Sequence, residues 1–132
     1  MKLYGPLNSG AAAGVAGSAT ANASSTVKLH GRVQGIYVKY NDSPPAGTTD
    51  VTIKTVGTSA APPSYNLLVL TDAATSGWFY PRVQVHTTAG AAIAAEYTPL
   101  LIADNVNVTI AQANAADNVD VWILLDDYST EQ

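Results

Sequence analysis

The sequence predicts an all-β, antiparallel sandwich or small barrel, and three observations carry that prediction. After residue 25, apolar and polar residues alternate with a period of two over most of the chain, the spacing of a strand with one buried face. Seven or eight such runs are separated by clusters of Gly, Pro, Asn, Asp and Ser, at the roughly 8 to 12 residue spacing of sandwiches and barrels. No segment offers the crossover helices that a parallel sheet requires, so the strands pair antiparallel. A chain of 132 residues fits one domain and buries roughly two thirds of the surface its unfolded form exposes.

The first element is an expected N-terminal arm, residues 1–25, ahead of a single β-sandwich domain, residues 26–132. Residues 8–25 are almost entirely Gly, Ala, Ser, Thr and Asn, with too little bulk to bury and too much backbone freedom to fold alone. Such a segment is either a flexible tail or an arm ordered along a neighbouring subunit, with Leu3, Tyr4 and Leu7 as its anchors; the arm is the expectation. Lys2 and the Ala21-Asn22-Ala23 triplet have the outline of a secretory signal, but Gly5, Pro6, Asn8, Gly10, Gly14 and Gly17 interrupt any apolar run. The segment is also far short of the 18 or so apolar residues that span a bilayer, and no membrane partner is expected.

From residue 26, Val27, Leu29 and Val33 alternate with Lys28, His30, Arg32 and Gln34, after which Ile36, Val38 and Tyr40 continue on the opposite parity. A parity change needs one extra residue, and Gly35 stands where a β-bulge would supply it. Residues 41–47 form a turn by composition. Residues 50–56 form a strand with Val51 and Ile53 on one face and Thr52 and Lys54 on the other, 60–64 a Pro-containing loop, and 65–71 a continuous apolar strand. After a turn at 72–77, residues 78–87 place Phe79, Pro81, Val83 and Val85 on one side and Trp78, Tyr80, Arg82, Gln84 and His86 on the other. Residues 88–95 allow a short helix through their alanines, while Gly90 favours a loop. Residues 98–102 give a short strand, and 106–111 and 119–126 stronger ones, separated by a turn at 114–118. In the last strand Val119, Val121, Ile123 and Leu125 share one face, opposite Asp120, Trp122, Leu124 and Asp126.

Charge narrows the functions available. Charged residues make up 12% of the chain, about half the usual share, so much of the surface is neutral. All six bases lie in residues 1–82, which carry +3, and residues 83–132 carry −7, giving the net charge of −4. Six scattered bases in an acidic chain do not form the cluster that displaces counterions from phosphates, so no nucleic-acid partner is expected. With no cysteine there is no disulfide, thiolate nucleophile or Cys-based metal site.

Catalytic and metal signatures are missing. His30 and His86 form no H-x-x-x-H or H-x-H pattern and fall on the polar parity of their strands. Asp117, Asp120, Asp126 and Asp127 lack the spacing of a calcium loop and are expected as exposed acidic turns. No G-x-S-x-G, S-x-x-K, G-x-x-x-x-G-K-[ST] or G-x-G-x-x-G occurs, and Asp126 and Glu96 alone make a non-specific case for a glycosidase. The sequence therefore predicts no enzyme, no cofactor and no metal.

The aromatic residues on the outward parity are more informative. Trp78, Tyr80 and Arg82 on one strand, and Trp122 with Leu124 on the last, are of the types that concentrate in protein interfaces. The competing reading places both strands in the interior near one end, where both faces are covered.

Three runs carry a resemblance: Gly35-Ile36-Tyr37-Val38-Lys39-Tyr40-Asn41, Thr49-Asp50-Val51-Thr52-Ile53-Lys54-Thr55 and Thr75-Ser76-Gly77-Trp78-Phe79-Tyr80-Pro81-Arg82. Over about residues 33 to 126 the chain resembles small tailed-bacteriophage structural proteins of the head decoration, or cement, type. The resemblance implies a jelly-roll-like sandwich on the outer surface of the virion capsid, often a trimer, bridging neighbouring major capsid proteins. A tail, baseplate or fibre module that binds a host glycan or protein is the alternative, and a small glycosidase or esterase a more distant one.

Overall fold

In a computed structural model, which describes residues 1–42, 45–57 and 62–126, the chain is all-β and antiparallel, with eleven strands and no helix among those residues. The strands are β1 (Lys2–Asn8), β2 (Ala19–Ser24), β3 (Leu29–Tyr40), β4 (Asp50–Thr55), β5 (Asn66–Leu70), β6 (Gly77–Phe79), β7 (Arg82–His86), β8 (Ala92–Pro99), β9 (Leu101–Asp104), β10 (Val106–Ala113) and β11 (Val119–Asp126). One sheet runs β1-β11-β3-β6, with β9 also on β3, and a second runs β2-β10-β4-β5. β7 and β8 pair only with each other, as a separate ribbon.

Alternation builds the core directly. Val119, Val121, Ile123 and Leu125 of β11 face Val51 and Ile53 of β4 and Val106, Val108 and Ile110 of β10 across one interior, each at most 1% exposed. Full burial of a side chain of this size is worth about 1.5–3 kcal/mol, so these strands dominate the stability of the sandwich. β3 contributes Val33, Ile36 and Val38 to the same core. Its parity switches where the sequence places the switch: Leu124 pairs with Gly35 and Leu125 with Val33, which leaves Gln34 as the extra residue of a bulge.

The N-terminal segment is a correction. Residues 1–25 are not an appendage to the sandwich; they complete both sheets of their own domain. β1 pairs with β11, and β2 pairs with β10. Between them Ser9 N–H donates to Val119 O at 3.0 Å and Ala12 N–H to Asp117 O at 2.8 Å. Leu7, Ala12 and Ala19 are buried, and Ala19 pairs with Ala113. Partner strands supply the hydrogen bonds and the apolar cover that the segment's own side chains lack, so composition alone misjudges it.

Three further boundaries differ from expectation. Residues 78–87 are not one strand, because Pro81 has no N–H with which to continue the ladder; the chain leaves the first sheet after Phe79 and re-pairs in the β7–β8 ribbon. Residues 92–99, inside and beyond the stretch expected as helix or loop, form β8; the turn before it is closed by Gly90 N–H to Thr87 O at 2.9 Å. The expected short strand at 98–102 is split between the end of β8 and β9. Asp117, expected as an exposed acid, is buried and accepts from Asn114 N–H at 3.0 Å and Ala46 N–H at 3.4 Å, which ties two turns together. Ser43, Pro44, Ala60, Ala61 and Asp127, within the expected loops and acidic turns, lie outside the described residues.

Candidate binding face

The outward face of the first sheet is built by the alternation that builds the core. With Val121, Ile123 and Leu125 turned inward, Trp122 and Leu124 must point out; past the β3 bulge, Ile36 and Val38 point in and Tyr37 out. Register then aligns them. Trp122 pairs with Tyr37 and Tyr37 with Trp78, one row of three aromatic residues across three adjacent strands. In the next row Leu3 pairs with Leu124 and Leu124 with Gly35.

The rings interlock. Tyr37 stands edge-on to Trp78, with centroids 5.3 Å apart and planes at 61°, and edge-on to Trp122 at 5.8 Å and 61°. Trp78 and Tyr80 lie nearly parallel, 12° apart, with centroids at 6.3 Å. Such pairs contribute about 0.5–1.5 kcal/mol beyond their area, which fixes the rings before any partner arrives.

Two glycines make the arrangement possible. A Cβ on Gly35 would stand 3.2 Å from Cδ1 and Cε1 of Tyr80 and 3.4 Å from Cε3 of Trp78, so the missing side chain is the seat of the Tyr80 ring. Gly5, at φ +139°, lies where a Cβ would come within 2.7 Å of Val121 O and 2.8 Å of Trp122 Cδ1; its absence lets β1 close against Trp122.

Leu3, Tyr37, Trp78 and Trp122 line a shallow groove of about 260 Å³. Trp78 is 43% exposed, Tyr80 61% and Leu3 57%, so the aromatic strands are not buried on both faces. Polar rows bound the apolar strip at both ends. At one end Arg32 Nη2 meets Asp126 Oδ2 at 3.3 Å. At the other, Lys39 pairs across the strands with Asp120, whose carboxylate accepts from Asn8 Nδ2 at 2.8 Å and Asn41 Nδ2 at 3.1 Å.

Of the residues singled out from sequence, Leu3, Trp78, Tyr80 and Trp122 meet on this face. Arg82 lies at its margin, donating to Pro81 O at 2.9 Å and to Gln34 O at 3.3 Å. Tyr4 and Leu7 do not belong to it: they pair with Ile123 and Val121, and Leu7 is in the core with Tyr4 packed against it. Tyr37 and Gly35 are the additions. The parity after the bulge already assigned Tyr37 outward, but it carries no signal without knowing that β3 lies between β11 and β6.

The other outer face is different in kind. Asn22 and Ser24 of β2, Asn107 and Thr109 of β10 and Thr52 and Lys54 of β4 make a surface of amides and hydroxyls, in which Asn107 Nδ2 donates to Ser24 Oγ at 3.0 Å and Thr109 Oγ1 to Asn107 Oδ1 at 2.7 Å. Further apolar exposure is found at Val83 and Tyr97 on the ribbon and at Leu101 on β9.

Among the described residues no group of three or more His, Asp or Glu could hold a metal ion, and no helix is long and apolar enough to cross a membrane. Burial pushes Tyr40 up to about 12, and its hydroxyl meets no hydrogen-bond partner among the described residues. Burial, and then the charge of Asp104, raise Tyr65, whose hydroxyl donates to Leu101 O. Asp104 is itself buried and accepts from Gly57 N–H and Asn105 N–H, both at 2.7 Å.

Comparison of the chain with protein-family models, with curated proteins and with solved structures found no match.

Proposed function

We propose that this protein is a non-enzymatic binding module whose working surface is the aromatic face, and that its partner is an assembled protein shell. The observation that carries the reading is the strip formed by Leu3, Tyr37, Trp78, Tyr80, Trp122 and Leu124. It is apolar, pre-ordered by ring contacts and bounded by self-paired polar side chains. Interface hot spots have this composition: aromatic anchors surrounded by a polar rim that excludes water.

The identity of the shell comes from the sequence resemblance, which implies the major capsid protein of a tailed phage, bound from outside the virion, with the protein acting as a homo-oligomer, a trimer being favoured. The mechanism is mass action. Binding the assembled lattice and not its dissociated subunits adds RT ln(1 + [L]/Kd) to the stability of each site, about 2.7 kcal/mol at a hundredfold excess over Kd.

The near-parallel Trp78 and Tyr80 rings favour a second reading, a tail or fibre module that stacks them on a host glycan. Co-sedimentation with expanded, undecorated phage heads separates the two. Wild type binds saturably under the first reading, and Trp78→Ala, a hot-spot loss of about 2 kcal/mol, weakens binding roughly thirtyfold. Absence of wild-type binding to heads, together with retention on a glycan array, would select the second. N-terminal truncation, which an arm would have called for, is uninformative because it removes β1 and β2 from the sheets.

A further inference from the structure

We infer that the groove takes a neutral, extended, proline-containing segment of the partner protein, laid across the strands in the polyproline II conformation. The inference rests on the aromatic face being the docking surface, and it specifies what docks there.

Spacing is the first ground. Trp122 and Trp78 occupy one row, two strands apart, with Tyr37 between them. Two strand spacings are about 9.6 Å. A polyproline II helix repeats every three residues at about 3.1 Å each, a period of about 9.3 Å. A segment crossing the strands therefore sets residues i and i+3 at the two indoles and the intervening turn at Tyr37, which lies edge-on to both.

Charge complementarity is the second. Arg32 is paired with Asp126, Lys39 faces Asp120, and the groove lining of Leu3, Tyr37, Trp78 and Trp122 carries no charge. Its electrostatic complement is a neutral segment. An acidic peptide would desolvate its charge against aromatic ring faces with no cation in the lining to pair it.

Hydrogen-bonding capacity is the third. The lining offers two indole N–H donors and one phenol, and the phenol oxygen is its only side-chain acceptor. An ordinary peptide or a sugar would bring a series of N–H or O–H donors to a surface that cannot accept them, at about 1–3 kcal/mol for each one buried. Proline has no N–H and keeps its carbonyl, so each proline laid on the lining offers an acceptor to the donors present and brings no backbone donor that must be met. It is also stiff in the bound form, which lowers the entropy lost on docking.

The probe is decaproline, titrated into the wild-type chain with indole fluorescence as the readout and a (Gly-Ser)5 peptide as the control. We expect a saturable change with decaproline and none with the control, and at least a tenfold weaker apparent Kd in Trp122→Ala and in Trp78→Ala. Circular dichroism of both variants establishes that they fold; the wild-type titration stands without them. If decaproline does not bind while head co-sedimentation still depends on Trp78 and Trp122, the inference is wrong and the docking face stands. If head binding occurs but ignores both tryptophans, the reading beneath it is wrong as well. Self-association of the purified chain that is lost both in Trp78→Ala and in Pro62→Ala would overturn it in favour of a second copy, since Pro62 and Pro63 are exposed on this chain too.

Discussion

Replacing Gly5 by alanine measures how firmly β1 is held in the first sheet. At φ +139° a residue with a side chain is strained by about 1–3 kcal/mol before any contact is counted. The new Cβ would stand 2.7 Å from Val121 O and 3.0 Å from Trp122 Cα. Those are backbone atoms of β11, a strand paired on one side with β1 and on the other with β3, so they cannot retreat without disturbing the middle of the sheet. Trp122 Cδ1, at 2.8 Å, could rotate away, but only by breaking its contact with Tyr37. Strain and displacement together come to about 3 kcal/mol, which at about 2–8 °C per kcal/mol lowers Tm by roughly 10 °C. Thermal unfolding followed by far-ultraviolet circular dichroism gives the number, and amide exchange over Lys2–Asn8 shows where it arises. A Tm within about 2 °C of wild type, with unchanged exchange in β1, would mean that β1 is not seated on β11, and the reading of residues 1–25 as an arm would return.

The remaining predictions follow from other single sites. Gly35→Ala places its Cβ 3.2 Å from a Tyr80 ring that is mostly exposed and free to yield, so stability stays within about 0.5 kcal/mol while head binding falls about tenfold; a loss of Tm comparable to that of Gly5→Ala would show that Tyr80 is structural rather than presented. Tyr40→Phe removes a buried hydroxyl with no partner among the described residues and raises stability by about 1 kcal/mol in urea unfolding at pH 7. The same variant has a pH signature. With Tyr40 at about 12 in the folded chain and 10.0 as its ordinary value, the unfolded state releases its proton first, so this residue costs the wild type stability as pH rises from about 10 to 12. Tyr40→Phe should therefore gain on wild type across that interval, by up to about 1.4 kcal/mol per pH unit, and a constant difference between pH 8 and 11.5 would contradict the assignment.

How much of this was legible in the sequence depends on where each residue's partners lie. Strands whose own side chains fill the core, such as Val119, Val121, Ile123 and Leu125 of β11, announce themselves by alternation, and the Gly35 parity break announced the bulge. β2 carries no such signal, because Ala21 and Ala23 pair with Ile110 and Val108 of β10 and need no bulk of their own. β8 is hidden for a related reason. As half of a two-stranded ribbon it is held by backbone pairing to β7 more than by burial, and an alanine-rich run with exposed side chains reads equally well as a loop. For the face, the outward direction of Trp78 and Trp122 followed from parity, whereas the row through Tyr37 needed the strand order, which no local pattern encodes.

The pairing of the first strand with the last has a consequence for the ribosome. β1 leaves the exit tunnel early, yet its hydrogen-bonding partner is β11, and β2 must likewise wait for β10. Until β10 has emerged the alanine-rich β2 has nothing to lie on, and until β11 has emerged β1 has no partner. Completing the first sheet is therefore gated by closure of a loop of more than a hundred residues, and the domain belongs with the slow folders whose contacts are far apart in sequence. Whatever this protein assembles with, β11 must be in place before the docking face exists, because that face is itself assembled from β1, β11, β3 and β6.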